Sequence, residues 1–411
     1  MDRDVTRVAR LVVAGMLAVL LVPVARAGGG SEPGLQRELA AALRARHVSP
    51  RLTGAIVLDL ATGQVVYAQN PQRALLPASN EKLATTFAAL TALGPGFRIE
   101  TDVLGDGTQT GATWDGDVVL KGYGDPTLSS ADLLSLASQV AADGITHVAG
   151  HVVGDESWFD AQRAGVGWKR EFYLHESPAL SALIVDRGWD GREETQPALY
   201  AAQLFRKDLV RAGVSVAGAA TTGIAAADAA PLADVESPPV SSLVRYMDTL
   251  SDNFTAEMLM KQVGAVQRNA GTAAAGIVET RHLLAAAGVP LAGVRMVDGS
   301  GLSLDDRWTP AGLARELRAM WLDPDLQSYV VRALPVAGVN GTLSYRMKTG
   351  PAHRYVRAKT GTTDNSSALS GFVGDRYVFS IVENGYPVWT PNAESSQNKF
   401  AQILARAAKA G

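Results

Sequence analysis

Ser79-Asn80-Glu81-Lys82, Ser251-Asp252-Asn253 and Lys359-Thr360-Gly361 stand in that order along a chain of 411 residues. Together they supply a hydroxyl nucleophile, an amine able to take its proton, a polar bridge to a substrate and a cation for a carboxylate. That set suits serine acyl transfer. Given the composition, chance alone would produce roughly 0.5 copies of S-x-x-K, about 0.06 of K-T-G and about 0.03 of S-D-N. The ordered triple carries the information, not S-x-x-K by itself.

Residues three apart on a helix share a face, so Lys82 would stand over Ser79. In a first turn, Ser79 would also lie among unpaired backbone amides at the positive end of the dipole. The Lys82 amine is a base only when neutral, and burial beside a second cation, Lys359, would lower its pKa from about 10.4. The structural alternative makes Ser79 a helix N-cap and leaves Lys82 in solvent. Ser251 and Asn253 follow a helical stretch, Ser242 to Leu250. A turn there would aim the hydroxyl and the amide to one side, the first relaying a proton and the second gripping a peptide group. The same triplet could instead cap a helix over Phe254 to Val263.

Two of the three patterns occur twice. Lys348-Thr349-Gly350 runs directly into Pro351, which cannot donate to a ladder and signals a turn. Val356 to Thr362 is extended, and the small Gly361 would let a substrate backbone approach a strand edge. Lys359 is therefore the candidate. Ser396-Gln397-Asn398-Lys399 also fits S-x-x-K, but it lies inside a helix expected over Ala393 to Ala408, with Lys399 on its solvated face.

The elements that must hold these residues come from both ends of the chain. A helix at Leu35 to Arg46 precedes a hairpin of Ala55 to Leu60 and Val65 to Ala68, joined by Ala61-Thr62-Gly63-Gln64. Pro77 then introduces a helix over Ser79 to Leu93. Near the other end, Ser370 to Val373 and Tyr377 to Val382 form a second hairpin. One sheet built from both termini, with helices on its faces, is the economical arrangement. From about Arg98 to Pro239 the pattern changes to short strand-like pieces broken by Gly, Pro and Asp, and Pro238-Pro239 marks the return. The expected organisation is a catalytic domain of residues 28–97 and 240–411, interrupted by a mainly β insertion at 98–239.

The three motifs resemble those of the low-molecular-mass penicillin-binding proteins of the D-alanyl-D-alanine carboxypeptidase/endopeptidase type, peptidase family S13. Further matching segments are Gly122 to Leu128, Gly165 to Trp168, Asp298 to Ser303 and Gly338 to Leu343. The resemblance implies an α/β, β-lactamase/transpeptidase-like fold, an antiparallel sheet with helices on both faces, and two subdomains in the insertion. It implies Ser79, Lys82 and Ser251 as catalytic residues, Ser251 relaying the proton to the leaving amine. Asn253, Lys359, Thr360, Gly361 and Thr362 would bind substrate: Lys359 and Thr360 the terminal carboxylate, the backbone N–H of Thr362 with that of Ser79 the oxyanion. Peptidoglycan stem peptides would be the substrates and β-lactams covalent inhibitors, with no cofactor. The alternatives are a β-lactamase, against which stand the long insertion and the lack of an E-x-x-L-N pattern between Asn253 and Lys359, and a non-catalytic wall-binding scaffold.

Composition narrows the surroundings. Apolar residues make up 47% and charged residues 19%, ordinary for a globular chain. No basic block points to nucleic acid. Arg3, Arg7 and Arg10 precede an apolar run from Leu11 to Val24 and the small residues of Ala25-Arg26-Ala27, as in a signal peptide cleaved after Ala27. Loss of its four Arg and two Asp takes the net charge from −3 to −5. The alternative is an N-terminal anchor, although the run is shorter than the roughly 20 residues of a comfortable span. No second apolar span follows, so the mature chain is expected to act outside the cytoplasm, in a periplasmic or similar compartment. With no cysteine, neither disulfides nor a lipidated cysteine can hold it. The six His are dispersed, without H-E-x-x-H, and no metal site is expected. Asp155 and Phe159 could line a side-chain pocket, or serve as a turn Asp and a core Phe.

Overall fold

In the computed structural model, residues 33–188 and 194–410 are described; the expected signal peptide, 1–27, lies outside the described residues. Helix α1 (Pro33–Ala42) leads to the hairpin β1 (Thr53–Asp59) and β2 (Val65–Gln69). Its turn is closed by Gly63 and by Asp59 Oδ1, which accepts from the Thr62 backbone N–H and hydroxyl at 2.8 and 2.9 Å. A 3-10 turn, Ala78–Glu81, runs into α2 (Lys82–Ala88). Then come β3 (Glu100–Thr110), β4 (Thr113–Gly122), α3 (Ser130–Ala142), β5 (His147–Val148), β6 (Val152–Asp155), α4 (Pro197–Arg211), β7 (Ser215–Val216), β8 (Ala220–Thr222) and β9 (Ala230–Glu236). Helices α5 (Val240–Leu250), α6 (Asn253–Arg268), α7 (Ala273–Ala286), α8 (Pro310–Leu322) and α9 (Gln327–Ala333) follow. Strands β10 (Val356–Thr363), β11 (Ser366–Val373), β12 (Tyr377–Asn384) and helix α10 (Thr390–Ala410) end the described chain.

As expected, one sheet joins the two ends: its order is β10-β11-β12-β1-β2, antiparallel throughout. Successive side chains of a strand point to opposite faces, and the alternation in β1 divides two cores. Ile56 and Leu58 pack with Leu83 and Phe87 of α2 and Leu313 and Leu317 of α8. Ala55 and Val57 pack on the other face with Leu39 of α1 and Phe400 and Leu404 of α10. A sheet buried on both faces is held in place between layers, and β10, one of its two edge strands, carries Lys359-Thr360-Gly361.

The second sheet draws its strands wholly from residues 100–236. The β3-β4 hairpin is flanked by antiparallel β9, and β5 and β6 lie parallel to β4. One face carries α3 and α4, whose Leu133, Leu136, Val140, Phe205 and Leu209 bury Val103, Val118 and Leu120. The strand-like, Gly-broken pattern of this stretch did not announce those two helices.

Candidate active site

The turn before Lys82 is bent on purpose. Ala78 adopts φ 46°, which costs an L residue roughly 1–2 kcal/mol, and it places Ser79 on the second residue of the 3-10 turn. Pro77 is the residue before that turn and no side chain caps it, so the Ser79 hydroxyl is left for other partners. Lys82 opens α2 and is fully buried. The solvated-lysine alternative is therefore ruled out.

The buried ammonium has three hydrogen-bond donors, and three acceptors surround it. Lys82 Nζ lies 3.0 Å from Ser79 Oγ, 2.7 Å from Asn253 Oδ1 and 2.7 Å from the Ser300 carbonyl. Asn253 Nδ2 donates to the Glu176 carbonyl at 2.9 Å, which fixes Oδ1 as the atom facing Lys82. Of the three partners only the Ser79 hydroxyl can donate. A neutral Lys82 must then spend its hydrogens on Asn253 and Ser300, and its lone pair points at Ser79. Burial is the leading cause that pushes the Lys82 pKa down to about 8, opposed by the carboxylates of Asp298, Asp252, Glu257 and Asp248.

Lys359, also fully buried, donates to Ser251 Oγ at 2.8 Å and to the Thr360 carbonyl at 3.0 Å. Burial lowers its pKa, and the charge of Lys82 lowers it further, down to about 7. The mutual repulsion foreseen from sequence is thus felt at Lys359, while desolvation governs Lys82. Asp248 answers both cations and accepts from the Thr86 hydroxyl at 2.6 Å; burial raises its own pKa to about 6.

The S-D-N triplet serves two purposes at once. Ser251 ends α5 in the left-handed region at φ 61°, and Asp252 caps α6 by accepting from the Thr255 N–H at 2.8 Å. Because Asp252 is the cap, Ser251 and Asn253 are free to reach the two lysines. Asp252 is itself pinned by Arg187 at 2.7 Å.

Edge strand β10 lies against the turn bearing Ser79. A Cβ on Gly361 would come within 2.8 Å of the Pro77 carbonyl and 3.1 Å of the Ser79 nitrogen. The close approach expected at Gly361 is thus to the chain's own turn. Asn80 Nδ2 ties the two together at the Lys359 carbonyl, 3.3 Å away. Thr360 Oγ1 donates to Thr342 at 2.7 Å, and Thr362 is exposed near the strand's end. A groove of about 340 Å³ continues from Thr362 past Leu302, Phe172 and Glu176.

The decoys go elsewhere. Ser396 donates to Glu383 at 2.5 Å while Lys399 faces solvent on α10. Lys348 lies 4.7 Å over the Tyr345 ring in an irregular segment. Asp155 is buried and paired with Lys121 at 2.8 Å, and Phe159 packs with Phe254 and Met258. His147 and His151 use Nδ1 on the Ser215 hydroxyl and the Ala219 backbone.

Sequence reasoning missed the Asp298–Ser303 turn as a part of the site. Asp298 accepts from the N–H groups of Ser300, Gly301 and Ser303, from the Ser300 hydroxyl, and from Trp168 Nε1 at 2.7 Å. Gly301, at φ 82°, leaves no room for a Cβ, which would fall 2.0 Å from the Ala78 carbonyl. The D-G-S-G spelling announced a turn, but the atom it delivers to Lys82 is a backbone oxygen, to which no side-chain motif points.

Comparison with known proteins agrees with this geometry. Residues 35–191 and 191–408 match the D-Ala-D-Ala carboxypeptidase 3 (S13) family. A D-alanyl-D-alanine carboxypeptidase of Actinomadura sp. is 32% identical over 470 residues, covering 92% of this chain and 87% of the relative. Carboxypeptidase DacB of Mycolicibacterium smegmatis is 30% identical, covering 90% and 84%. In fold, penicillin binding protein 4 of Haemophilus influenzae superposes with a TM-score of 0.81 at 22% identity, over 90% of this chain and 98% of that one. With both halves of the chain matched and the transpeptidase-like fold in place around Ser79 and Lys82, the protein belongs to the S13 family of D-Ala-D-Ala carboxypeptidases.

Proposed function

We propose that the protein is an exported serine-type D-Ala-D-Ala carboxypeptidase and DD-endopeptidase that cleaves peptidoglycan stem peptides through an acyl-enzyme on Ser79. The observation that carries this reading is the Lys82 amine, buried and held 3.0 Å from the Ser79 hydroxyl by two acceptors that cannot donate. Neutral Lys82 takes the Ser79 proton as Oγ attacks the carbonyl carbon of a D-alanyl bond. The oxyanion is met by the backbone N–H groups of Ser79 and Thr362. The C–N bond then breaks, and the leaving amine takes a proton through Ser251. Lys359 and Thr360 bind the substrate's terminal carboxylate, and Gly361 lets their strand lie against the nucleophile's turn. Asn253 steadies Lys82 through Oδ1 and offers Nδ2, now on Glu176, to the substrate's peptide group. Water attacks the ester and restores the Ser79 hydroxyl.

Release of a terminal D-alanine is the carboxypeptidase reaction, and freeing the side-chain amine of a crosslinked diamino acid is the endopeptidase reaction. A β-lactam acylates Ser79 by the same steps, but its leaving amine stays tethered to the acyl group. No cofactor or metal is invoked. In this reading, residues 1–27 direct export, 28–97 and 240–411 form the catalytic domain, and 98–239 are inserted. Support for the division is that the five-stranded sheet takes nothing from 98–239 while the second sheet lies wholly inside it.

A fluorescent penicillin tests the reading. The mature protein should take one label, Ser79→Ala none, and purified crosslinked muropeptides should be cleaved with products resolved by mass. Labelling that survives Ser79→Ala would overturn the mechanism; hydrolysis of penicillin at many turnovers per second would make the protein a β-lactamase instead.

A further inference from the structure

Glu257 lies on α6, one turn beyond Asn253, and is fully buried. None of the three motifs includes it. Its Oε1 accepts the backbone N–H groups of Gly299 and Ser300, at 3.0 and 2.9 Å. The next peptide unit carries the Ser300 carbonyl, which takes a hydrogen bond from Lys82 at 2.7 Å. That unit is held from its other side, where the Gly301 N–H donates to Asp298 at 2.7 Å. A continuous line of contacts therefore runs from α6 through the Glu257 carboxyl and the turn to the amine beside Ser79.

Resting on the acyl-enzyme reading above, we propose that Glu257 is a positioning residue for Lys82: acting as a hydrogen-bond acceptor, it anchors the Asp298–Ser303 turn so that the Ser300 carbonyl aims the amine at Ser79. At neutral pH Glu257 is mainly protonated, and Oε1 accepts both amides with or without that proton. Its Oε2 is buried and has no hydrogen-bond partner among the described residues, and leaving an anionic oxygen so placed is far costlier than leaving a neutral one. The groups facing it agree. Burial first, then Asp298, raise its pKa to about 8, against the bonds from Ser300 and Gly299 and the charge of Lys82. Glu81, buried on the preceding turn, is raised well above the usual carboxylate range by burial and the surrounding acids, Glu257 among them. A protonated Oε2 leaves Oε1 as a carbonyl oxygen, able to accept both amides.

The role separates from simple core packing by rescue. Glu257→Gln keeps an acceptor at Oε1 without any charge, whereas Glu257→Leu keeps volume without an acceptor. Acylation by a labelled penicillin is followed from pH 6 to pH 9 on the full mature chain, with active sites counted by exhaustive labelling. The Gln variant should acylate within about threefold of the parent and keep its rise near pH 8. The Leu variant should lose about 10- to 100-fold in the limiting acylation rate constant, with the dissociation constant of the initial penicillin complex little changed. Should the Leu variant fail to fold, Glu257→Asp carries the test: one methylene shorter, it cannot reach both amides, and acylation should fall at least tenfold. The proposal is overturned if Gln is as slow as the other variant, which would mean that charge acts, or if that variant matches the parent per active site. Failure of the parent itself to be labelled at Ser79 is a different result, and it would count against the acyl-enzyme reading.

Discussion

Gly361→Ala tests how tightly β10 must press on the turn bearing Ser79, the proposed nucleophile. Gly361 does not occupy the left-handed region, so alanine meets no backbone penalty there. By stiffening the unfolded chain, the change would by itself stabilise the protein by roughly 0.4–1 kcal/mol. What opposes it is contact: the new Cβ would sit 2.8 Å from the Pro77 carbonyl, 3.1 Å from Asn80 Nδ2 and 3.1 Å from the Ser79 nitrogen. Ordinary van der Waals contact begins about 0.6 Å farther from the carbonyl, so strand and turn must part by about half an ångström. The Asn80 to Lys359 bond, already 3.3 Å long, would be lost, at a cost of about 1 kcal/mol. Stability gain and loss nearly cancel, and the melting temperature should move by no more than a few degrees. Catalysis has no such compensation. In the proposed mechanism the N–H groups of Ser79 and Thr362 meet the oxyanion, and they belong to the two parts being separated; loss of one oxyanion donor slows an acyl transfer by about 10²–10³. A partial separation should therefore reduce the rate of acylation by a fluorescent penicillin about 10- to 100-fold. Acylation within twofold of the parent, at an unchanged melting temperature, would refute the idea that this contact sets the oxyanion geometry.

Four further outcomes follow from the same structure. Because burial lowers the Lys82 pKa to about 8 and only the neutral amine is a base, acylation should rise with pH through that value in a stopped-flow profile. At pH 7 about one Lys82 in eleven is then neutral, against about one in 2,500 for an unshifted lysine. Asn253→Ala removes a 2.7 Å acceptor from the buried amine; a hydrogen bond to a charged group contributes about 1.5–3 kcal/mol, so acylation should slow about 10- to 100-fold under single-turnover conditions. Glu81, Glu257, Asp306 and Glu316 all have folded pKa values raised above their unfolded ones by burial. The native state then binds the extra protons, and stability is lost as pH rises from the unfolded carboxylate range toward the folded values. Melting temperatures should fall between about pH 5 and pH 7.5. Glu316→Gln, replacing a carboxyl whose two oxygens have no hydrogen-bond partner among the described residues, should flatten that slope by up to about 1.4 kcal/mol per pH unit.

What the sequence made legible follows physical lines. The five-stranded sheet could be foreseen because β1 and β12 are runs of apolar residues next to polar turns, and a strand buried on both faces has little else in it. Helices α3 and α4 were hidden by their surroundings: Leu133, Leu136 and Val140 have helical spacing, but Gly, Pro and Asp dominate the stretches on either side. Motif spacing picked out Ser79, Lys82, Ser251 and Lys359, whose side chains the fold brings together, but it gave no sign of the Ser300 carbonyl or of the Asp248, Glu257 and Asp298 carboxyls around them. Asn253 shows how far elementary accounting could have gone. Spacing alone suggested that its amide faces a substrate; the fold adds a second task, since its oxygen faces Lys82. A buried ammonium has three donors and the S-x-x-K motif itself provides one hydroxyl, so two more acceptors had to come from elsewhere in the chain. Only the fold could name the Ser300 carbonyl as one of them, but that an acceptor was missing was already implied once Lys82 was placed in the core.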